Sequence, residues 1–176
     1  MMDALTRFDP LSVAVLTFVT LQRLAELVYA RSNEARLLAR GAREYGAGHY
    51  PVLVAMHAAW LIGLWVLAAG IAPRPVWLLG FAALQGLRLW VLATLGPRWT
   101  TRVIVLPNEP LVRSGPYRFL SHPNYVVVAA ELLVLPMAYE LLFYGLLFSG
   151  LNAAVLWVRI HAEAQALRGA TRLTEM

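Results

Sequence analysis

Five apolar stretches alternate with polar ones along the 176 residues of this chain. The first three lie at about residues 11–30, 51–71 and 76–95. Each matches the run of about 20 mostly apolar residues that carries a helix across a bilayer. The second is the cleanest, with His57 as its sole ionisable residue. Ala72-Pro73-Arg74-Pro75 between the second and third is a turn, because two prolines forbid continuous helix. A polar stretch at residues 96–122 then carries Pro97, Pro107, Pro110 and Pro116. It is too broken for a long helix and reads as an ordered, functional loop. The last apolar block, residues 125–158, is long for one span and short for two, and Pro136 interrupts it. The expected form is a helical hairpin with arms at about residues 123–138 and 140–158; one long kinked helix is the alternative. Up to Pro136 the first arm covers about 20 Å and falls short of the far face. The pattern predicts a single domain, residues 1–176, of the all-α integral-membrane class, with about five transmembrane helices and a tail at 159–176.

Composition supports the membrane class. Hydrophobic residues make up 60% and charged residues 14%, against about 45–50% and 25% in soluble proteins. That excludes a soluble enzyme or a large extramembrane domain. It also argues against nucleic acid as a partner despite the net charge of +5. Cysteine is absent, which removes disulfides, a thiol nucleophile and Cys-based metal or Fe–S sites. No cleaved signal peptide is expected, since the first apolar stretch runs into Gln22, Arg23 and Glu26 without a small-residue cleavage site.

Charge sets the orientation. Residues 31–50 hold four Arg and two Glu, residues 96–121 four Arg and one Glu, and the tail three Arg and two Glu. The opposite side has Asp3, Arg7, Asp9 and Arg74. The positive-inside rule places the Arg-rich segments in the cytoplasm, with the N-terminus outside and the C-terminus inside. Arg31, Arg36, Arg40 and Arg43 are then expected to serve topology and contact with anionic lipids.

Ionisable groups within the spans are costly and each needs a partner. Arg23 and Glu26, three residues apart, share a helix face and can neutralise each other. Arg88 sits about two turns from a helix end and can snorkel. His57 among apolar neighbours is either a hydrogen-bonded core residue or part of a site. Glu131, between Ala130 and Leu132, is expected to pair with Arg159 on the other arm of the hairpin. All these polar groups lie toward the cytoplasmic side, which favours a pocket open to cytosol and lipid over a path through the membrane.

Residues 111–125 read Leu111-Val112-Arg113-Ser114-Gly115-Pro116-Tyr117-Arg118-Phe119-Leu120-Ser121-His122-Pro123-Asn124-Tyr125. Gly115-Pro116 makes a turn. His122 is pushed out of the helical region by Pro123, which itself suits a first helical position. Ser121 or His122 is then expected to cap a helix whose N–H groups attract an anion.

Gly115-Pro116-Tyr117, His122-Pro123-Asn124-Tyr125, Glu131, and Arg159 with Glu163 and Leu167 resemble the isoprenylcysteine carboxyl methyltransferase family. Upstream, Arg23-Leu24-Ala25-Glu26, Gly41-Ala42-Arg43-Glu44-Tyr45-Gly46, His49-Tyr50, His57 and Trp99-Thr100-Thr101-Arg102 look like a bacterial branch of it. That branch is associated with O-methylation of lipophilic polyketides such as alkylpyrones. The chain departs from the family at Ser121, where Arg is usual, and at Ala164, where a second acid is usual.

The resemblance implies an integral-membrane, S-adenosyl-L-methionine-dependent O-methyltransferase with a cytoplasmic cofactor pocket and no metal. Carried over, Leu111, Val112, Gly115, Tyr117, His122, Pro123, Tyr125 and Glu163 hold the cofactor. Arg159, Glu163 and Glu131 are the catalytic candidates. Glu26, His57, Arg88 and Trp99 line the entrance for a lipophilic small-molecule or lipid-like acceptor that arrives among the membrane lipids. A phospholipid N-methyltransferase, an NADPH-dependent sterol-type reductase and a non-enzymatic scaffold are the alternatives.

Overall fold

A computed structural model of the chain describes residues 8–107 and 109–174, with side chains through His161. Asp3 and Arg7, placed by charge on the outer side, lie outside the described residues, as do the side chains of Glu163 and Leu167. Five helices carry the structure: α1 (Pro10–Ala39), α2 (Tyr50–Ala68), α3 (Pro75–Leu95), α4 (Pro123–Ala138) and α5 (Leu142–Thr174). Four helical segments are long and apolar enough to cross a membrane: Pro10–Ala39, Ala47–Ala68, Pro75–Arg98 and Leu142–His161. The chain is thus a mostly helical, multi-pass membrane protein. The expected fourth span, α4, has 16 residues and at 1.5 Å each reaches about 24 Å, against a hydrocarbon core of about 30 Å.

Helix ends follow local chemistry. Asp9 caps α1 by accepting a hydrogen bond from the Ser12 N–H at 2.8 Å, and Pro10 occupies the first helical position. Pro75 and Pro123 open α3 and α4 in the same way. Pro136 sits inside the last turn of α4, and the break falls at residues 139–141. A proline near a helix C-terminus loses one bond to the preceding turn, which buried packing of Leu135, Pro136 and Ala138 offsets. The first helix also outruns its apolar stretch, turning residues 31–39 from loop into helix.

The helices alternate in direction, so the molecule has two faces. At one face the Asp9 N–H donates to the Ala69 carbonyl at 2.9 Å and the Arg74 N–H to the Ala138 carbonyl at 2.7 Å. The Ser12 hydroxyl donates to the Ile71 carbonyl, and exposed Arg74 pairs with Glu140. At the opposite, motif face lie the 40–49 and 96–122 connections. There, two strands interrupt the all-α expectation: β1 (Arg43–Tyr45) pairs antiparallel with β2 (Val103–Val105), Glu44 opposite Ile104.

Between the faces, Leu16, Trp60, Leu64, Phe81, Leu132 and Leu135 form the main apolar core. Gly145 lets α5 approach α4, since a Cβ there would lie 3.3 Å from the Leu133 carbonyl oxygen. Outward-facing side chains are apolar as well: Val66 is 77% exposed, Leu79 72% and Phe143 86%. Such a surface is stable against lipid and not against water.

Candidate functional site

The most polar part of the interior lies between α1, α3 and α4. Glu131 accepts hydrogen bonds from Arg23 Nη2 at 2.6 Å, Gln85 Nε2 at 2.8 Å and Arg88 Nε at 2.9 Å, with Arg88 Nη2 closer still. Glu26 accepts from Arg23 Nη1 at 2.9 Å, Arg88 Nη1 at 3.0 Å and Gln22 Nε2 at 3.1 Å. Gln22 also donates to Gln85 Oε1 at 2.7 Å. Two arginines and two glutamates cancel, and the glutamines fill remaining lone pairs, which is how buried charge is tolerated in an apolar medium.

This network corrects two expectations. Arg88 does not snorkel; it is 2% exposed, because two carboxylates within reach compensate it better than a distant water interface. Glu131 does not pair with Arg159. Its partners come from α1 and α3, while the Arg159 Nε donates to the Tyr125 hydroxyl at 2.8 Å. The Arg23–Glu26 pair forms as expected but is embedded in the larger net.

At the motif face, the extension of α1 anchors the loops. The Asn33 carboxamide donates to the Trp99 carbonyl at 2.8 Å, and Arg36 donates to Asn33 Oδ1 at 2.6 Å. Arg40 pairs with Glu109, so two of the arginines assigned to topology also bind protein. Across the strand pair, Arg102 holds Glu44 at 2.9 Å and lies over the Tyr50 ring. The hydrogen bond from Arg102 to Glu44 raises the guanidinium above its ordinary value. Gly115 adopts φ 55, and a Cβ there would lie 2.4 Å from Thr94 Oγ1, so glycine alone lets this loop dock on α3.

His122 occupies the cap position of α4 without a side-chain capping bond. Its ring instead stacks on Tyr125, centroids 5.0 Å apart. His57 Nδ1 is 2.9 Å from the Leu53 carbonyl oxygen. His49 closes the short turn that leads into α2, within the apolar segment Ala47–Ala68.

Two cavities open on this region. The larger, about 770 Å³, lies at the motif face and is lined by Leu111, Val112, Tyr117, His122 and Tyr125 among others. Gly115 and Pro123 are not among its lining residues. The smaller, about 290 Å³, runs between the helices past Glu26, His57, Arg88 and Trp99. Trp99, Thr100, Asn124, Tyr125 and Arg159 line both. Glu131 lines neither and stands behind Arg88. Asn124 and Thr100, members of two of the motifs but assigned no role by them, belong to these walls, as does Asn152, which no motif contains. The available signal for Asn152 was a lone carboxamide in the apolar last helix.

A Bacillus subtilis (strain 168) protein described as uncharacterized protein YpbQ is 39% identical over 159 residues, covering 88% of this chain and 95% of that one. An uncharacterized protein of Haemophilus influenzae (strain ATCC 51907 / DSM 11121 / KW20 / Rd) is 25% identical over 151 residues, covering 82% and 88%. No solved structure matches the chain. Residues 76–169, from α3 through the motif loop to the last helix, match the isoprenylcysteine carboxyl methyltransferase family model, and the chain belongs to that family.

Proposed function

We propose that the protein is an S-adenosylmethionine-dependent methyltransferase acting on a carboxyl or enol oxygen of a lipophilic acceptor, with its motif face in the cytoplasm of a bacterial inner membrane. One observation carries the reading: two cavities of different character share a single wall at Trp99, Thr100, Asn124, Tyr125 and Arg159. Methyl transfer from a sulfonium needs two reactants held end to end and water kept out.

The residues present fit the cofactor. The larger cavity is within the size range of small-molecule sites, about 300–1,000 Å³. It combines apolar Leu111 and Val112 with polar Ser121 and Arg113. At the shared wall, the Asn124 Oδ1 and Trp99 Nε1 atoms are buried without a hydrogen-bond partner among the described residues. When bound, the cofactor supplies an electrophilic methyl group. Leu111, Val112 and Tyr117 would hold its nucleoside portion, and His122, Tyr125 and Glu163 its polar groups.

The acceptor belongs in the smaller cavity. Leu24 on α1 and Val54 on α2 line it and are 55% and 42% exposed on the apolar surface, so an acceptor can enter from lipid. Arg23 and Arg88 in its wall are neutralised by Glu26 and Glu131, and Arg159 adds a positive charge at the shared wall. That charge favours an anionic oxygen over an amine and disfavours phospholipid N-methylation. Arg159, braced by the Tyr125 hydroxyl, orients the ionised oxygen at the shared wall. An oxygen already ionised needs no strong base, which leaves Glu131 to hold α1, α3 and α4 together. A small lipid-like acid or enol, such as an alkylpyrone, meets these requirements.

Calorimetry of detergent-solubilised protein with S-adenosylhomocysteine and with NADPH tests the reading. Heat with the former alone is expected, weakened at least about tenfold in affinity by His122→Ala. No heat with S-adenosylhomocysteine defeats the proposal; heat with NADPH instead selects the reductase. Affinity unchanged in His122→Ala and Tyr125→Ala points to the scaffold.

A further inference from the structure

Asn152 lies on α5 in the wall of the smaller cavity and is fully buried, at 0% exposure. Neither its Oδ1 nor its Nδ2 has a hydrogen-bond partner among the described residues. Trp60, on α2, lines the same cavity at 2% exposure, and its Nε1 is also without a partner. Buried polar atoms left unpaired are costly and uncommon, and each asks for an explanation. Besides Arg23 Nε and the shared-wall atoms of Trp99 and Asn124, these three atoms, two donors and one acceptor, belong to residues of one cavity whose other walls include apolar Leu53, Leu61, Val128 and Leu156.

Their placement along α5 gives the arrangement a direction. Asn152, Leu156 and Arg159 follow at spacings of four and three, and so share one helix face. Seven residues at 1.5 Å each set Asn152 about 10 Å from Arg159 along the helix. Arg159 marks the wall shared with the larger cavity, and Asn152 and Trp60 mark the part of the acceptor cavity remote from it.

We propose that Asn152 and Trp60 recognise a second, neutral oxygen on the acceptor, a carbonyl or hydroxyl set about two helical turns from the oxygen that is methylated. The inference rests on the acceptor role proposed for this cavity and narrows its occupant. The acceptor is an oxygenated chain or ring system, not an acid with a plain hydrocarbon tail. Two N–H donors match the two lone pairs of a carbonyl oxygen, and Asn152 Oδ1 adds an acceptor for a hydroxyl hydrogen. A site built to hydrogen-bond a substrate group rejects the analogue that lacks it, because its own buried groups are then left unpaired.

The test uses the full chain in lipid nanodiscs and a set of probes: hexadecanoic acid and its mono-oxo isomers with the ketone at successive positions. At least one oxo isomer is expected to bind about tenfold or more tightly than the parent acid. The nearly isosteric Asn152→Leu, and Trp60→Phe, which removes the indole N–H, are each expected to bring that ratio below about twofold. The wild-type ratio decides by itself. No preferred isomer, or no binding across the series, overturns the proposal and leaves the carboxamide to buried water. A preference that survives in both variants overturns it too. S-adenosylhomocysteine binding, measured on the same sample, separates the two readings. Its loss with the preference intact defeats methyl transfer, and its presence with an unselective series defeats only this recognition.

Discussion

Glu131 shows what a single carboxylate does inside an apolar molecule. It accepts from Arg23, Gln85 and Arg88, so three side chains from two other helices depend on it. Glu131→Ala leaves two guanidiniums facing Glu26 alone, and loss of one partner of a buried pair costs about 3–5 kcal/mol. Thermal unfolding in detergent is expected to show that loss. Arg88→Met with Glu131→Leu is expected to recover most of it, because Arg23 and Glu26 then remain a balanced pair; a double variant no more stable than the single one would contradict this. The cost of burying Glu131 was legible in the sequence from its apolar neighbours. Its partners were not, since spacing reports neighbours on one helix and Arg23 is 108 residues away.

At the scale of elements, hydropathy located the helices and misjudged their ends. The polar residues after position 30 resemble a loop, yet Asn33 and Glu34 are buried and continue α1 because Trp99, Gly96 and Thr101 supply their hydrogen bonds. The strands Arg43–Tyr45 and Val103–Val105 have three residues each, too few to display a period of two. What holds the motif loop to α3 is visible in one residue. Gly115→Val introduces both a side chain at φ 55 and a collision with Thr94. Its expected effect is an S-adenosylhomocysteine affinity at least about tenfold weaker, with helical circular dichroism unchanged. Unchanged affinity would mean that the loop reaches its position without docking on α3.

As a whole the molecule is apolar without, holds one charged network inside an otherwise apolar interior, and its two faces differ in charge. The absence of cysteine makes that polarity easy to map. With the proposed orientation, Arg74→Cys is expected to react with an impermeant maleimide on intact cells, and Arg113→Cys only after the membrane is opened. The reverse pattern would invert the protein in the bilayer. The buried charged network also bears on how the protein is made. A charged side chain centred in an inserting helix costs about 2.5–3.5 kcal/mol. Helix α1 carries Arg23 together with its own partner Glu26, but Arg88 on α3 adds a second guanidinium, and the Glu131 carboxylate on α4 that balances it emerges 43 residues later. Synthesis is therefore expected to keep α3 beside α1 near the point of insertion until α4 arrives. A chain released early would leave one arginine in lipid without its carboxylate, so the last helices are expected to enter together with α3.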